Sequence, residues 1–132
     1  MLATVKAICE KRWDANKGDC SGFLKAVASD FGIKLTGQAN VIIDTMGKPP
    51  WTQLGSDTAK AAQYAKLGYL VVAGLKAIPH GHVAVIVPVT PNPYLTGYWG
   101  MLGGIGRKNT TLNWSWNKID LPKVQYFAIR RA

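Results

Sequence analysis

The spacing of apolar residues along this chain changes once, close to Gly68. Before Gly68, apolar residues recur at the three- and four-residue intervals of amphipathic helices. After it they stand in short β-branched runs, residues 69–73 and 83–87, which are typical of buried strands. Helices followed by successive strands pack as helices on an antiparallel sheet. The sequence therefore predicts an α+β fold and excludes alternating β-α-β units.

Four helices are predicted before this change. Asp19 is a good N-cap for the second helix, and Gly32 is a typical residue for its end. Asn40 is the expected cap of the third helix, and Ser56 or Asp57 that of the fourth. The first, third and fourth helices are predicted at residues 2–13, 41–46 and 59–67, with an extended loop at 48–50 and a first-helix apolar face made of Leu2, Val5, Ile8, Cys9 and Trp13.

Five strands are predicted after this change. They cover residues 69–73, 83–87, 94–101, 114–116 and 124–129, with a turn or bulge at 103–106. Trp114 and Trp116 would share one face of their strand, which favours core packing over sugar stacking. Cys9 fits the buried face of the first helix, so an inert thiol is expected there.

The length and composition limit the possible classes of protein. The chain has 132 residues, of which 48% are hydrophobic, so we expect a single domain over residues 1–132 with a real core. No apolar run approaches the roughly 18 residues that span a bilayer. No apolar segment precedes Glu10-Lys11-Arg12, so we expect no signal peptide, synthesis in the cytosol and no membrane association.

Basic residues exceed acidic ones, most strongly in the second half. Residues 1–66 hold nine basic and six acidic side chains, whereas residues 67–132 hold seven and one, for a net charge of +9. Such a charge suits an anionic partner such as nucleic acid or the bacterial cell wall, and equally a solvated basic surface. Since no Lys/Arg run exceeds two residues and no nucleic-acid-binding motif is recognisable, we expect no nucleic-acid partner.

The cysteines and histidines do not have the spacing of a metal site. Cys9 and Cys20 make neither a Cys-x-x-Cys pair nor a disulfide framework. A zinc site would also need both histidines of the chain, His80 and His82. We therefore expect neither a metal nor an organic cofactor.

Cys20 is the nucleophile with a recognisable setting. It follows Asp19 and opens the second helix, where exposed amides and the helix dipole lower a thiol pKa and can hold an oxyanion. Ser21 and Gly22 keep the first turn small, so a substrate backbone can approach. His82 begins a strand and can act as the base. Taken alone, Cys20 is read as a buried structural cysteine and His82 as a hydrogen-bonded strand-end histidine; their joint placement favours a catalytic pair.

These two motifs resemble those of a known family. Asp19-Cys20-Ser21-Gly22-Phe23 and the segment 81–86, Gly-His-Val-Ala-Val-Ile, resemble the cysteine and histidine motifs of NlpC-type cell-wall peptidases and CHAP amidases. From Asn16 to Ile129 the chain is similar to the type VI secretion amidase effectors of Gram-negative bacteria. The further stretches that carry this resemblance are residues 50–54, 68–75 and 116–117.

The resemblance implies a papain-like peptidoglycan amidase that cuts between D-glutamate and meso-diaminopimelate. It implies that Cys20 and His82 are the catalytic residues. We further expect Asp19, Ser21 and Gly22 to contact the substrate, and His80 to be a substrate contact or a bystander at the rim of the cleft. It further implies delivery by the type VI machinery into a rival's periplasm and neutralisation by a cognate immunity protein. We expect a monomer.

The chain departs from the family at the third catalytic position. NlpC-type enzymes orient the histidine with a polar residue on the following strand, but residues 94–100 contain no His, Asn or Gln. Thr96, Tyr98 or a backbone carbonyl could supply an oxygen. A CHAP-type amidase and a non-catalytic basic binding module remain as alternatives, and thiol alkylation would separate the second from a cysteine hydrolase.

Overall fold

The computed structural model describes residues 3–101, 103–104 and 106–132. Its helices are α1 (Val5–Asn16), α2 (Cys20–Asp30), α3 (Ala39–Met46) and α4 (Thr58–Lys66). Its strands are β1 (Thr52–Gly55), β2 (Leu70–Leu75), β3 (His82–Ile86), β4 (Thr96–Trp99), β5 (Arg107–Thr111) and β6 (Gln125–Ile129). Short 3-10 helices, Leu112–Trp114 and Leu121–Lys123, lie between β5 and β6. The predicted α+β class is confirmed.

The strands form one antiparallel sheet in the order β1-β6-β2-β3-β4-β5. Side chains alternate between its two faces, so Val83 and Val85 pack with α1, α2 and α3 while Ala84 and Ile86 pack with α4. Strands that are covered on both faces have continuous apolar runs. This is why β2 and β3 could be recognised from the sequence.

Local capping chemistry explains where most helices begin. The Thr4 hydroxyl accepts a hydrogen bond from the Ala7 amide at 3.1 Å and starts α1. The Asp57 carboxylate accepts from the Lys60 amide at 3.0 Å and starts α4, as predicted. Leu2 lies outside the described residues, and the other predicted apolar residues of α1 are buried: Val5, Ile8, Cys9 and Trp13.

The predicted cap of α3 is wrong. The helix begins at Ala39 with Gln38 in the N-cap position, so Asn40 lies inside it. The Asn40 side chain instead donates to the carbonyl of Ala77 at 2.8 Å and accepts from the Ala77 amide at 3.2 Å. A tertiary contact has taken both polar atoms that a local cap would have used.

The predicted strand at 114–116 is also wrong. Trp114 ends a 3-10 helix, and the amides of Ser115 and Trp116 both donate to the carbonyl of Leu112. Trp116 is buried as predicted, but Trp114 is 60% exposed. The strand in this region is β5, which pairs along β4 at the sheet edge. Its sequence, Arg-Lys-Asn-Thr-Thr, has no apolar alternation because most of its length faces solvent.

Three further observations concern the predicted turn at 103–106, the two cysteines and membrane-spanning helices. Gly103 and Gly104 lie in a turn closed by a bond from the Gly104 amide to the Met101 carbonyl, whereas Ile105 falls outside the described residues. Both cysteines are free thiols. None of the helices in the described ranges is long and apolar enough to cross a bilayer.

Candidate active site

Cys20 is the first residue of α2, and hydrogen bonds hold the turn that carries it. The Asp19 carboxylate accepts from the Ser21 amide at 3.2 Å and from the Ser21 hydroxyl at 2.9 Å. The Ser21 hydroxyl also lies 3.0 Å from Oε1 of Gln38. The start of α2 is therefore tied to the start of α3, as a buried polar cluster requires.

The connection between β4 and β5 supports the same turn from the other side. The amides of Met101 and Gly106 both donate to the carbonyl of Lys17, at 3.1 and 2.9 Å. Gly100 packs so closely that a Cβ there would lie 2.4 Å from the Asp19 carbonyl oxygen. Only glycine fits at this position without displacing the backbone just before Cys20.

Cys20 and His82 open into one cleft. The backbone amide of Val83, the residue after His82 at the start of β3, is close enough to the Cys20 sulfur to lower its pKa. Both residues line a cleft of about 400 Å³ whose walls include the start of α3 and the loop at 79–81. The structure thus brings together the two residues that the sequence motifs single out.

The Cys20 thiol differs from the expectation in its acidity. Burial is the largest influence and raises the pKa of Cys20, and the nearby Asp19 carboxylate raises it further. The amides of Val83, Ser21 and Cys20 lower it, as expected at a helix N-terminus, but they do not outweigh burial. A thiol with this raised pKa would need a base in order to act as a nucleophile.

His82 is placed to be that base. Its ring lies edge-on to the buried Trp116, with centroids 4.9 Å apart and planes at 65°. Burial lowers the pKa of His82 to about 4, so the imidazole is neutral near pH 7. A neutral imidazole can accept a proton from a thiol as the sulfur attacks a carbonyl.

The side chain that contacts Nε2 of the imidazole is that of Ser115. Its Oγ lies 2.6 Å from Nε2 of His82. Neither candidate from the sequence takes this position. The Tyr98 hydroxyl donates to Glu10, and Thr96 pairs beside Val87, beyond the opposite end of β3. Ser115 carried no local signal, because only the 3-10 turn before it brings it to β3.

The four predicted substrate contacts divide into two pairs. Asp19 and His80 line the cleft, so they are available to a bound molecule. Ser21 is buried, with its hydroxyl turned towards Asp19 and Gln38. Gly22 lies under the Asp19 carboxylate, where a Cβ would come within 3.0 Å of Oδ2. Ser21 and Gly22 therefore shape the turn and do not line the cleft.

The structure adds cleft residues that the sequence did not single out as such. Gln38, Asn40 and Val41 come from the start of α3, and Met101 from the β4–β5 connection. Asn40 had been visible only as a possible helix cap. A Cβ at Gly81 would lie 2.2 Å from Oδ1 of Asn40, so this wall of the cleft also depends on a glycine.

Comparison with known proteins gives a consistent result. No family model matches the chain. The peptidoglycan amidase Tse1 of Pseudomonas aeruginosa is 35% identical over 137 residues, covering 94% of this chain and 88% of Tse1. This chain therefore belongs to the Tse1 family of peptidoglycan amidases, the type VI secretion amidase effectors that its cysteine and histidine motifs resemble.

Proposed function

We propose that this chain is a cysteine endopeptidase that cleaves the bond between D-glutamate and meso-diaminopimelate in peptidoglycan stem peptides. The observation that carries the proposal is that Cys20 and His82 open into one cleft in a relative of a peptidoglycan amidase. The single amidase domain would comprise residues 1–132, with Asp19 and His80 as substrate contacts.

The proposed reaction begins from a neutral thiol and a neutral imidazole. His82 takes the proton of Cys20 as the sulfur attacks the amide carbonyl, and it then gives that proton to the leaving amine. The Cys20 amide is the first N–H of α2 and has no partner one turn earlier within the helix, so it can donate to the oxyanion. Water then hydrolyses the thioester and frees the sulfur.

The biological setting proposed here follows from family membership and charge. The protein would be delivered by type VI secretion into the periplasm of another bacterium, act there as a monomer, and be neutralised in the producing cell by an immunity protein. Its net charge of +9 suits an anionic cell wall.

The test is mass spectrometry of sacculi from a Gram-negative bacterium after digestion. The wild-type protein should release fragments that begin with a free diaminopimelate amine, and Cys20→Ala should release none. Cys9→Ala is the matched control, because Cys9 is a fully buried thiol of the core. Cleavage at another bond would overturn the assigned specificity, and undiminished cleavage by Cys20→Ala would overturn the mechanism.

A further inference from the structure

The segment after β5 presents Ser115 to the catalytic histidine. Leu112 is fully buried, and its amide donates to the carbonyl of Leu95 at 2.9 Å. The amides of Ser115 and Trp116 both return to the carbonyl of Leu112, at 2.9 and 3.1 Å. One backbone hydrogen bond therefore ties this turn to the residue before β4, and two more close the turn itself.

Two consecutive side chains of this turn contact the same imidazole. Ser115 Oγ lies 2.6 Å from Nε2 of His82, a short hydrogen bond. The buried indole of Trp116 lies edge-on to the ring. Together they restrict both the plane of the imidazole and its rotation about the Cβ–Cγ bond.

We propose that Ser115 is the positioning residue of this active site, which holds His82 with Nε2 protonated and leaves Nδ1 free to take the thiol proton of Cys20. This role rests on the proposed Cys20–His82 reaction. A neutral imidazole has one donor and one acceptor nitrogen. If Nε2–H donates to Ser115, the lone pair is on Nδ1, and Nδ1 is then the nitrogen that can accept the thiol proton.

The direction of this hydrogen bond also suits the whole reaction. After proton transfer the imidazolium has two N–H donors and no acceptor, so the Ser115 hydroxyl must then accept from Nε2. With Nε2 protonated at the start, the hydroxyl accepts at both stages and need not rotate. A hydroxyl stabilises the imidazolium less than a carboxylate does, which agrees with a histidine that stays neutral at rest.

Three substitutions at this position separate positioning from simple packing. Ser115→Ala removes the acceptor, Ser115→Thr keeps a hydroxyl, and Ser115→Asp replaces it with a carboxylate. Asn113→Ala is the matched control, because Asn113 is an exposed residue of the same 3-10 helix. Each variant is assayed on a purified diaminopimelate-containing disaccharide tetrapeptide, and its folding is checked by thermal unfolding.

Ser115→Ala should lower kcat by about 10- to 100-fold with KM within about twofold, and Ser115→Thr should recover most of this loss. Ser115→Asp should move the acid limb of kcat/KM upwards by about one to two pH units, because a carboxylate favours the imidazolium. Asn113→Ala should change neither kcat nor the pH of the acid limb of kcat/KM. Wild-type kcat in Ser115→Ala, or an unmoved limb in a folded Ser115→Asp variant, would overturn the role.

Nitrogen NMR of His82 tests the same role without any turnover. The wild-type protein should show the tautomer protonated on Nε2, and Ser115→Ala should show a mixture. This outcome supports Ser115 even if peptidoglycan proves not to be the substrate. A tautomer that Ser115→Ala leaves unchanged would contradict the role while leaving the peptidoglycan proposal intact.

Discussion

Cys9 and Cys20 are both buried thiols, yet their surroundings give them different chemistry. Cys9 lies in the core on α1, where burial and the neighbouring Glu10 raise its pKa far above the ordinary range. Cys20 also has a raised pKa, but it lies in the cleft that contains His82, and the Val83 amide counteracts part of the rise. Access and a neighbouring base therefore distinguish the nucleophile more than acidity does.

Exchanging each cysteine for alanine should separate these two environments. Cys20→Ala should lower peptidoglycan cleavage by at least about 10³-fold, because no other group can form the thioester. Cys9→Ala should keep activity within a few-fold and cost about 1 kcal/mol of unfolding free energy through the small cavity left in the core. Fragment release and chemical denaturation measure the two effects. The opposite pattern would reverse the assignment of the nucleophile.

The two histidines should differ in the same way. His82→Ala should reduce kcat by about 10²- to 10⁴-fold, because general-base assistance is lost. His80→Ala should act mainly on KM, since His80 lines the cleft and is not the proposed base. Steady-state kinetics on a purified muropeptide makes the comparison. Equal losses of kcat at both positions would mean that the base is not assigned correctly.

The lowered pKa of His82 predicts a pH dependence of activity and stability. kcat/KM should stay level down to about pH 4, where His82 titrates, and then fall as the base is protonated. Between about pH 6.5 and 4 the unfolded chain binds a proton at this histidine that the folded chain does not. The free energy of unfolding should therefore decrease as the pH is lowered through this window, by on the order of 3 kcal/mol.

His82→Gln isolates this contribution from the carboxylates that titrate nearby. The difference in unfolding free energy between wild type and His82→Gln should change between pH 6.5 and 4 and be level above that window, as measured by urea unfolding. A difference that does not vary with pH would contradict burial as the origin of the lowered pKa.

At the scale of elements, the catalytic turn depends on the connection between β4 and β5. The backbone amides of Met101 and Gly106 donate hydrogen bonds to the carbonyl of Lys17, and Gly100 packs against the carbonyl of Asp19. The nucleophile is therefore positioned by a segment about 80 residues later in the chain. This connection also contributes Met101 to the cleft.

Gly100→Ala should test this dependence. The added Cβ would displace backbone beside Asp19, so we expect a loss of about 1–3 kcal/mol of unfolding free energy and a fall in kcat. Gly104→Ala is the matched control, since a Cβ there meets only the Met101 side chain at an ordinary 3.7 Å. Thermal unfolding and fragment release are measured for both. A Gly100→Ala protein as stable and active as Gly104→Ala would show that the contact does not matter.

At the scale of the whole molecule, the net charge suits the proposed substrate. The basic excess is concentrated in residues 67–132, which hold seven basic side chains and one acidic. Such a surface favours adsorption to an anionic polymer. The proposed substrate is such a polymer, and it lies outside the inner membrane.

Toxicity should therefore depend on compartment and on Cys20. A version directed to the periplasm of a Gram-negative host should lyse cells, whereas cytosolic expression should be tolerated. Periplasmic Cys20→Ala should be harmless, and co-expression of a protein encoded beside the effector should suppress lysis by the wild type. Cell density and microscopy record the outcome. Cytosolic toxicity that survives Cys20→Ala would favour a basic binding module instead.

Local physical chemistry made much of this protein predictable from its sequence. The Asp19 and Asp57 caps depend on side chains that bind amides within the next turn. β2 and β3 were recognisable because burial on both faces demands unbroken apolar runs. The Cys20 and His82 motifs were also visible in the sequence, because each is a short continuous segment.

The remaining features were decided by contacts between distant segments. β1 and β5 are the edge strands of the sheet, and they form because they pair with β6 and β4, although their own sequences carry little strand signal. α3 begins before Asn40 because that side chain is bound to Ala77. The raised pKa of Cys20 and the place of Ser115 beside His82 also arise only after folding. Burial and long-range pairing act between residues that are far apart in the chain, so no local pattern contains them.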